Sequence, residues 1–457
     1  MTRFDDALRY AQDHQSAVLE ELKELIRIPS VSTLPECKAD VLRAAEWLAA
    51  KLRALGFQQV QVLPTGGHPV VVGQWMGAGQ SAPTILTYGH YDVQPTDPIE
   101  LWTSDPFEPS LRGDNLFARG ASDMKGQLVA HLAAVEALLH AKALPANLKV
   151  LFEGEEEIGS PNLKPFLASH ADLLSASFCL NADSGIQAPD QPAITYALRG
   201  LDYFEIRVHG PSHDLHSGQF GGAVDNPALV LCQAIAGMRD ADGRILLPGF
   251  YDRVRPLTTE ERQDLARLPQ GEDWWREQTG VPALAGEAGY TSTERASARP
   301  TLDVNGMLSG FTGVGSKTVL PAKAMAKISM RLVADQMPEE VHASLQEYLT
   351  KVMPRSVEWE IEELSSCRPS LLERDSLPAQ AASRALQRVW GVPPIFARQG
   401  GSVPIVGEMQ TLLGIESLLL GFGLPDDNLH APNEKQHLPT FYRGIEAFIR
   451  FYEELAR

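Results

Sequence analysis

A histidine and an aspartate two residues apart follow an apolar segment in the sequence Thr84-Ile-Leu-Thr-Tyr-Gly-His-Tyr-Asp-Val-Gln-Pro95. The segment predicts a strand that ends at Gly89 and delivers His90 and Asp92 into the loop after it. Side chains two residues apart in an extended chain point the same way, so both can serve one site. The imidazole suits a metal ion, and the carboxylate suits the role of orienting that imidazole. Histidine has many other roles, so this pair alone is weak evidence for a metal site.

Further acidic residues follow at the ends of other predicted strands. His90, Asp123, the Glu155–Glu157 run and Asp183 each lie just after a strand or at the mouth of a strand-to-helix loop. In a parallel sheet those ends converge on one edge. Such a mixed nitrogen and oxygen ligand set suits zinc, with manganese or cobalt as alternatives. Two metals roughly 3.5–4 Å apart need a bridging carboxylate, as in many hydrolases, and Asp123 in its glycine-flanked loop is a candidate.

The glutamate run Glu155–Glu157 has two interpretations. Three adjacent glutamates can form a solvated acidic turn. Here, however, the run directly follows the apolar segment Leu148–Phe152. Adjacent glutamates can also divide two tasks, since one binds a metal while its neighbour accepts a proton from water. We expect the second arrangement.

The elements that position these residues alternate between helical and strand patterns, which predicts an α/β fold with a mostly parallel central sheet flanked by helices. The predicted elements before residue 200 are helices over 3–28, 38–55 and after 126, and strands over Gln59–Leu63, Val70–Trp75, Leu148–Phe152 and Ser177–Asn181. The same texture returns from about residue 369. We therefore assign residues 1–199 and 369–457 to one domain.

The segment between these two parts has a different pattern. Phe204, Ile206 and Val208 alternate with polar residues, as does the strand around Met330, which is typical of sheets with one solvated face. Strand, helix and strand occur twice, which predicts an α+β domain of ferredoxin-like layout. Residues 240–300 show no clear period. The sequence thus predicts an inserted domain over residues 200–368.

Composition excludes several classes of partner. The chain has 457 residues and a formal net charge of −18, which disfavours binding to nucleic acid and to anionic membranes. Its four cysteines show no C-x-x-C spacing, so we expect free thiols in a reducing compartment. The amino terminus lacks a secretory signal, and no apolar run is long enough to span a bilayer. These features predict a soluble, cytoplasmic protein.

Several motifs follow one another along the chain: His90-Tyr-Asp92, Gly120-Ala-Ser-Asp-Met-Lys-Gly126, Glu153-Gly-Glu-Glu-Glu-Ile-Gly-Ser160, Asp183, Asp214-Leu-His-Ser-Gly218 and His430-Ala-Pro-Asn-Glu434. Together they resemble the co-catalytic di-zinc metallopeptidase family that contains carnosinase, cytosolic nonspecific dipeptidase, aminoacylase and succinyl-diaminopimelate desuccinylase. The resemblance covers nearly the whole chain and is strongest to the dipeptidase subgroup. It implies a phosphorylase/hydrolase-like catalytic domain and an inserted lid and dimerisation domain.

The resemblance also implies roles at the metal site. The positions that correspond to the ligands of two metal ions, with Asp123 as the bridge, are His90, Asp123, Glu157, Asp183 and His430. Asp92 corresponds to the aspartate that orients a metal-bound histidine. Glu156 corresponds to the general base, although a shift of one residue to Glu155 stays open.

Other positions correspond to substrate-binding residues of the family. His216 matches a lid histidine that reaches across a dimer and stabilises the oxyanion, and Arg331 matches an arginine that holds the substrate carboxylate. Gly401 and Ser402 match a cradle for the same group. The implied function is hydrolysis of dipeptides or very short peptides with a free C-terminal carboxylate, by a hydroxide that two metals share. Alternatives are an N-acyl-amino-acid deacylase or desuccinylase of the same family, and a catalytically inactive binding protein on the same fold.

Overall fold

The structure is a computed structural model, and it describes residues 2–401 and 403–457. Its helices are α1 (Arg3–Asp13), α2 (Gln15–Ile26), α3 (Lys38–Ala54), α4 (Lys125–His140), α5 (Leu163–Ser169), α6 (Ala171–Leu174), α7 (Ser217–Phe220), α8 (Pro227–Ala236), α9 (Thr259–Ala266), α10 (Glu272–Thr279), α11 (Ser292–Ser297), α12 (Pro338–Val352), α13 (Leu377–Trp390), α14 (Pro404–Glu408) and α15 (Leu438–Leu455).

The strands are β1 (Gln58–Leu63), β2 (Val70–Trp75), β3 (Thr84–His90), β4 (Ser110–Arg112), β5 (Asn115–Phe117), β6 (Asn147–Glu153), β7 (Phe178–Asn181), β8 (Ala193–Leu198), β9 (Gly200–His209), β10 (Leu215–His216), β11 (Thr301–Ser309), β12 (Val319–Leu320), β13 (Lys323–Leu332), β14 (Glu358–Cys367), β15 (Ser370–Leu371), β16 (Ile395–Gln399), β17 (Ser417–Leu419) and β18 (Lys435–His437). Within the described residues, no helix has both the length and the apolar character needed to cross a lipid bilayer.

The chain forms two compact units. The first contains residues 1–196, 371–397 and 408–457, and the second contains residues 197–370 and 398–407. Residues 398–407, which the sequence pattern predicts to be part of the first domain, group with the second unit. Their contacts explain this grouping, since Arg199 Nε donates a hydrogen bond to the Gly400 carbonyl at 3.1 Å and Arg398 pairs with Glu261.

The first unit is built on a nine-stranded sheet in the order β1-β2-β6-β3-β7-β17-β8-β15, with β16 beside β8. Its four middle strands, β6, β3, β7 and β17, are parallel, and antiparallel strands flank them. This confirms the predicted α/β class. Because the middle strands are parallel, β3, β6 and β7 all end at the same edge of the sheet. His90, Glu153 and Asn181 are the last residues of these strands.

Helix packing closes this core. Helix α4 is apolar around most of its circumference, as expected of a helix buried on several sides. Its side chains pack against α1, α2 and α15. The single helix predicted over residues 3–28 is wrong in one respect, since it breaks at His14. There the ring of His14 stacks on Tyr10 at 3.9 Å and its backbone N–H closes α1 on the Tyr10 carbonyl.

The second unit contains a four-stranded antiparallel sheet in the order β11-β13-β9-β14. Helices α8 and α12 pack on it, and the chain order β-α-β-β-α-β with this strand order is the ferredoxin-like arrangement that the sequence predicts. Phe204, Ile206 and Val208 of β9 are fully buried, as their alternation requires. The segment without a clear period, 240–300, contains the short helices α9, α10 and α11.

Candidate metal centre

His90 and Asp92 open the site at the end of β3. Nδ1 of His90 lies 3.1 Å from the backbone carbonyl of Asp92. Because a carbonyl only accepts hydrogen bonds, Nδ1 is the donor, and Nε2 is the ring nitrogen that faces Asp123. The Asp92 carboxylate accepts hydrogen bonds from the backbone N–H groups of Glu156 and Glu157, at 3.2 and 3.1 Å. Asp92 therefore joins the histidine loop to the glutamate turn.

Asp123 lies between the two histidines. Its Oδ1 is 3.2 Å from Nε2 of His90, and its Oδ2 is 2.9 Å from Nε2 of His430. The two oxygens of one carboxylate thus face two imidazole nitrogens. A carboxylate placed in this way could contact a different cation with each oxygen.

Two further carboxylates lie beside the histidines. Asp183 Oδ2 is 3.9 Å from Nε2 of His90, and Glu157 Oε2 is 3.2 Å from Nε2 of His430. The arrangement therefore has two halves that share Asp123, one with His90 and Asp183 and the other with His430 and Glu157. Single ligand atoms of His90, Asp123 and Glu157 lie within 4.8 Å of one another.

The pKa values of Glu156 and Asp183 are raised, whereas hydrogen bonds with His430 and His90 lower the pKa of Asp123. Burial raises the pKa of Glu156 to about 8, where His90 opposes the rise and Asp183 adds to it. Burial and the nearby Asp123 raise the pKa of Asp183 to about 7. Hydrogen bonds with Asp123 and Glu157 raise the pKa of His430 to about 10. Partly buried carboxylates in this number favour nearby positive charge, and two imidazoles with three carboxylates are a donor set that suits divalent zinc, manganese or cobalt.

The structure distinguishes the two candidate bases, Glu155 and Glu156. The Glu155 carboxylate accepts hydrogen bonds from Nδ2 of Asn162 at 3.0 and 3.1 Å and from the backbone N–H of His68 at 3.0 Å. Its oxygens are thus occupied in holding the surrounding loops. Glu156, by contrast, is within electrostatic reach of His90 and Asp183. This contrast favours Glu156 as the group that faces the metal cluster.

Two contacts at this site were not predicted from the sequence. Nε2 of Gln94 donates a hydrogen bond to Oε2 of Glu157 at 2.8 Å and so orients a candidate ligand. Glu434, the last residue of the His430-Ala-Pro-Asn-Glu434 motif, is fully buried and receives the backbone N–H of Asp123 at 3.1 Å. The motif drew attention to Glu434, but local sequence does not show what its carboxylate contacts.

Three of the predicted substrate residues, His216, Arg331 and Gly401, belong to the second unit. His216 ends β10, is exposed, and accepts the backbone N–H of Gly218 on Nδ1 at 3.0 Å. Arg331 lies on β13 and lines a cavity of about 520 Å³ with Arg199 and Arg299. Gly401 is exposed, and Ser402 lies outside the described residues. The contacts of these residues with a substrate stay predictions.

The α/β sheet with a carboxylate and histidine cluster at its strand ends defines a class of metal-dependent hydrolases. The sequence model of peptidase family M20/M25/M40 matches residues 86–454, and the chain belongs to this family. The resemblance inferred from the motifs is thereby confirmed.

Individual relatives match over nearly the full length of both chains. The chain is 34% identical to the Cys-Gly metallodipeptidase dug1 of Schizosaccharomyces pombe, covering 95% of this chain and 94% of that protein. It is 29% identical to the human Beta-Ala-His dipeptidase, over 99% of this chain and 93% of that protein. Among solved structures, the M20 family metallo-carboxypeptidase Sso-CP2 from Sulfolobus solfataricus matches with a TM-score of 0.80 and 33% identity, covering 96% of this chain and 99% of that one.

Proposed function

We propose that this chain is a metal-dependent dipeptidase that hydrolyses the peptide bond of dipeptides or very short peptides with a free C-terminal carboxylate. The observation that carries the proposal is the position of Asp123 between His90 and His430, with Asp183 and Glu157 completing the two halves. The names of full-length relatives, a Cys-Gly metallodipeptidase and a Beta-Ala-His dipeptidase, support the substrate class.

The donor set fits two divalent ions, and zinc suits the mixture of imidazole and carboxylate best. His90, Asp123 and Asp183 would hold one ion, and His430, Asp123 and Glu157 would hold the other. When bound, such ions supply Lewis acidity, which lowers the pKa of water and polarises a carbonyl. The surrounding protein would orient these ligands, through the backbone carbonyl of Asp92 beside His90 and the side-chain amide of Gln94 beside Glu157.

Glu156 is the proposed general base. It would accept a proton from the attacking water and return that proton to the amine that leaves when the C–N bond breaks. A base of this kind works best with a pKa near the operating pH, and burial already raises the pKa of Glu156 to about 8. Bound cations act in the opposite direction and would lower it.

The remaining roles follow the family resemblance. His216 would donate to the developing oxyanion, and a well-aimed donor of this kind contributes about 3–4 kcal/mol. Arg331 would bind the substrate carboxylate with two parallel hydrogen bonds, with Gly401 and Ser402 beside it. A homodimer formed through the second unit and a cytoplasmic location belong to the same proposal.

One relative favours a second candidate. The Sulfolobus solfataricus protein is a metallo-carboxypeptidase, so removal of a C-terminal residue from longer peptides is the alternative that an observation supports. An N-acyl-amino-acid deacylase or desuccinylase would use the same metal residues. An inactive binding protein is disfavoured, because the sequence lacks none of the candidate metal ligands and keeps Glu156.

The test is a substrate panel on protein loaded with zinc, manganese or cobalt in turn. It contains Cys-Gly, β-Ala-His, tri- to pentapeptides, N-blocked peptides and N-acyl amino acids. We expect dipeptides to turn over at least tenfold faster than the other groups. Preferential cleavage of longer or N-blocked peptides would establish the carboxypeptidase, and turnover of N-acyl amino acids alone would establish the deacylase.

A further inference from the structure

The motif His430-Ala-Pro-Asn-Glu434 also contains an acidic residue, Glu434, that has no role in the proposed reaction. The Glu434 carboxylate is fully buried in the first unit. Its Oε1 accepts the backbone N–H groups of Ser122 at 3.0 Å and Asp123 at 3.1 Å. Its Oε2 accepts the backbone N–H of Gly120 at 3.0 Å and Nη1 of Arg119 at 2.8 Å. Every one of these four contacts is a donor to the carboxylate.

This set of contacts suits a side chain with two acceptor oxygens. The two oxygens of Glu434 accept hydrogen bonds from three backbone N–H groups within one tight turn. In this turn Gly120 has a left-handed φ of +81°. A neutral amide in this position would direct an N–H₂ group at donors and leave at least one of them unsatisfied. Glu434 therefore determines the path of the backbone that carries Asp123.

A second carboxylate from the same turn forms a hydrogen bond with the same loop. Asp427 is fully buried, and its Oδ2 accepts the hydroxyl of Ser122 at 2.7 Å. The same oxygen accepts the backbone N–H of Leu424 at 2.8 Å, and Oδ1 accepts Nζ of Lys435 at 3.0 Å. Asp427 thus holds Ser122 by its side chain while Glu434 holds the backbone on either side of it.

The turn that supplies these carboxylates is itself held in an unusual conformation. Asn428, His430 and Asn433 all have positive φ, at 56°, 60° and 61°. All three are non-glycine residues in the left-handed region, a conformation that persists only where the surrounding structure holds it. Asn433 fixes the turn on its outer side, since its side chain accepts the N–H of Thr103 at 2.9 Å and donates to the carbonyl of Leu101 at 2.8 Å.

We infer that Glu434, assisted by Asp427, is a positioning residue that locks the Asp123 loop to the His430 turn and so sets the separation of two metal ligands. His430 reaches Asp123 Oδ2 at 2.9 Å only while the two loops keep this register. Because the same short segment carries a ligand and the clamp on the shared carboxylate, one rigid contact aligns both halves of the cluster. This inference rests on the proposed metal site and adds a determinant of its metal affinity.

The test compares metal binding by Glu434→Gln with that of Glu454→Gln. Glu454 is a matched control, because it is also buried and paired with arginines, Arg384 and Arg388, but lies on α15 among residues that take no part in the cluster. Chelator-treated proteins are titrated with Zn²⁺ by calorimetry, and bound zinc is counted per folded chain. Loss of an outer contact to a metal ligand typically weakens metal binding by about 10- to 100-fold. We expect at least tenfold weaker zinc binding in Glu434→Gln and less than a twofold change in Glu454→Gln.

Ser122→Ala provides the variant that folds if Glu434→Gln does not, since it removes only the hydroxyl contact with Asp427. We expect it to weaken zinc binding by about two- to fivefold, in the range of a single lost hydrogen bond. Unchanged zinc affinity in Ser122→Ala and in any folded Glu434→Gln protein would overturn the inference, as would equal weakening in Glu454→Gln. A wild-type chain that binds zinc but cleaves no peptide would refute the proposed function and leave this inference intact.

Discussion

Oδ2 of Asp123 lies 2.9 Å from Nε2 of His430, although 307 residues separate the two in sequence. The other oxygen of the same carboxylate lies 3.2 Å from Nε2 of His90. One side chain thus links the two halves of the candidate metal centre. Substitution of Asp123 should therefore show whether the site binds two ions or one.

Asp123→Asn keeps the size of the side chain but replaces one of the two facing oxygens with an amide nitrogen, which cannot ligate a cation. We expect bound metal to fall from about two ions per chain to one or fewer, and turnover to fall at least 100-fold. Elemental analysis of gel-filtered protein measures the first effect. Asp6→Asn, at an exposed position in α1, should match the wild type. Retention of two tightly bound ions in Asp123→Asn would exclude Asp123 as the bridge.

Substitutions of the adjacent glutamates Glu155 and Glu156 should have different effects. Glu156→Gln should keep both metals and lose about 10²–10⁴-fold in kcat, the range for general acid–base catalysis. Glu155→Gln should keep most of its turnover but unfold more easily, by about 1–3 kcal/mol, since its oxygens accept hydrogen bonds from Asn162 and His68. Steady-state kinetics and urea denaturation of both variants separate the two effects. The reverse pattern would transfer the role of base to Glu155.

Metal removal should destabilise the first unit. Without cations, His90 and His430 face the carboxylates of Asp123, Asp183 and Glu157 and compensate the repulsion among these acids only in part. An ion at 100 times its Kd stabilises a folded protein by about 2.7 kcal/mol. We expect a chelator to lower the melting temperature by several degrees and added Zn²⁺ to restore it. A wild-type melting curve indifferent to both treatments would argue against a resident metal.

Local sequence patterns were sufficient to predict the strands that precede His90 and Asp183, because an apolar run between turn residues marks each of these strands. The ferredoxin-like layout of the second unit follows similarly from the alternation of Phe204, Ile206 and Val208. The same patterns could not show which oxygen of Asp123 faces which histidine, or that Glu434 grips the Asp123 loop. Such contacts join segments about 300 residues apart and depend on tertiary packing.

The substrate carboxylate provides a test of Arg331. Its guanidinium can hold a carboxylate with two parallel hydrogen bonds, and a lysine ammonium cannot reproduce that geometry. Arg331→Lys should therefore lower kcat/KM for dipeptides by about 10- to 100-fold, mainly through a higher KM, with unchanged metal content. C-terminally amidated dipeptides serve as the control. Because they lack the charged carboxylate, their kcat/KM should differ little between Arg331→Lys and the wild type. An unchanged KM for free dipeptides would move the carboxylate site elsewhere.

Asp202 should make the stability of the second unit depend on pH. It is fully buried on β9, and neither carboxylate oxygen has a hydrogen-bond partner among the described residues. Burial, reinforced by Glu363 and Glu339, raises its pKa to about 8. Between about pH 4 and pH 8 the folded state therefore binds this proton more tightly than the unfolded state. The contribution to stability is fully present below the ordinary pKa of an aspartate and is lost as the pH rises through about 8.

Asp202→Asn removes the buried charge and with it this pH dependence. At pH 8 we expect the variant to be more stable than the wild type by on the order of 3 kcal/mol, and the difference to shrink toward pH 4. Hydrogen exchange of the β9 amides reports on this unit directly, and Asp252→Asn, at an exposed position of the same unit, should leave the pH slope unchanged. A wild-type exchange profile as flat as that of Asp202→Asn would mean that Asp202 is stabilised as a carboxylate, since only an ionised group with compensating partners would lose no stability on the alkaline side.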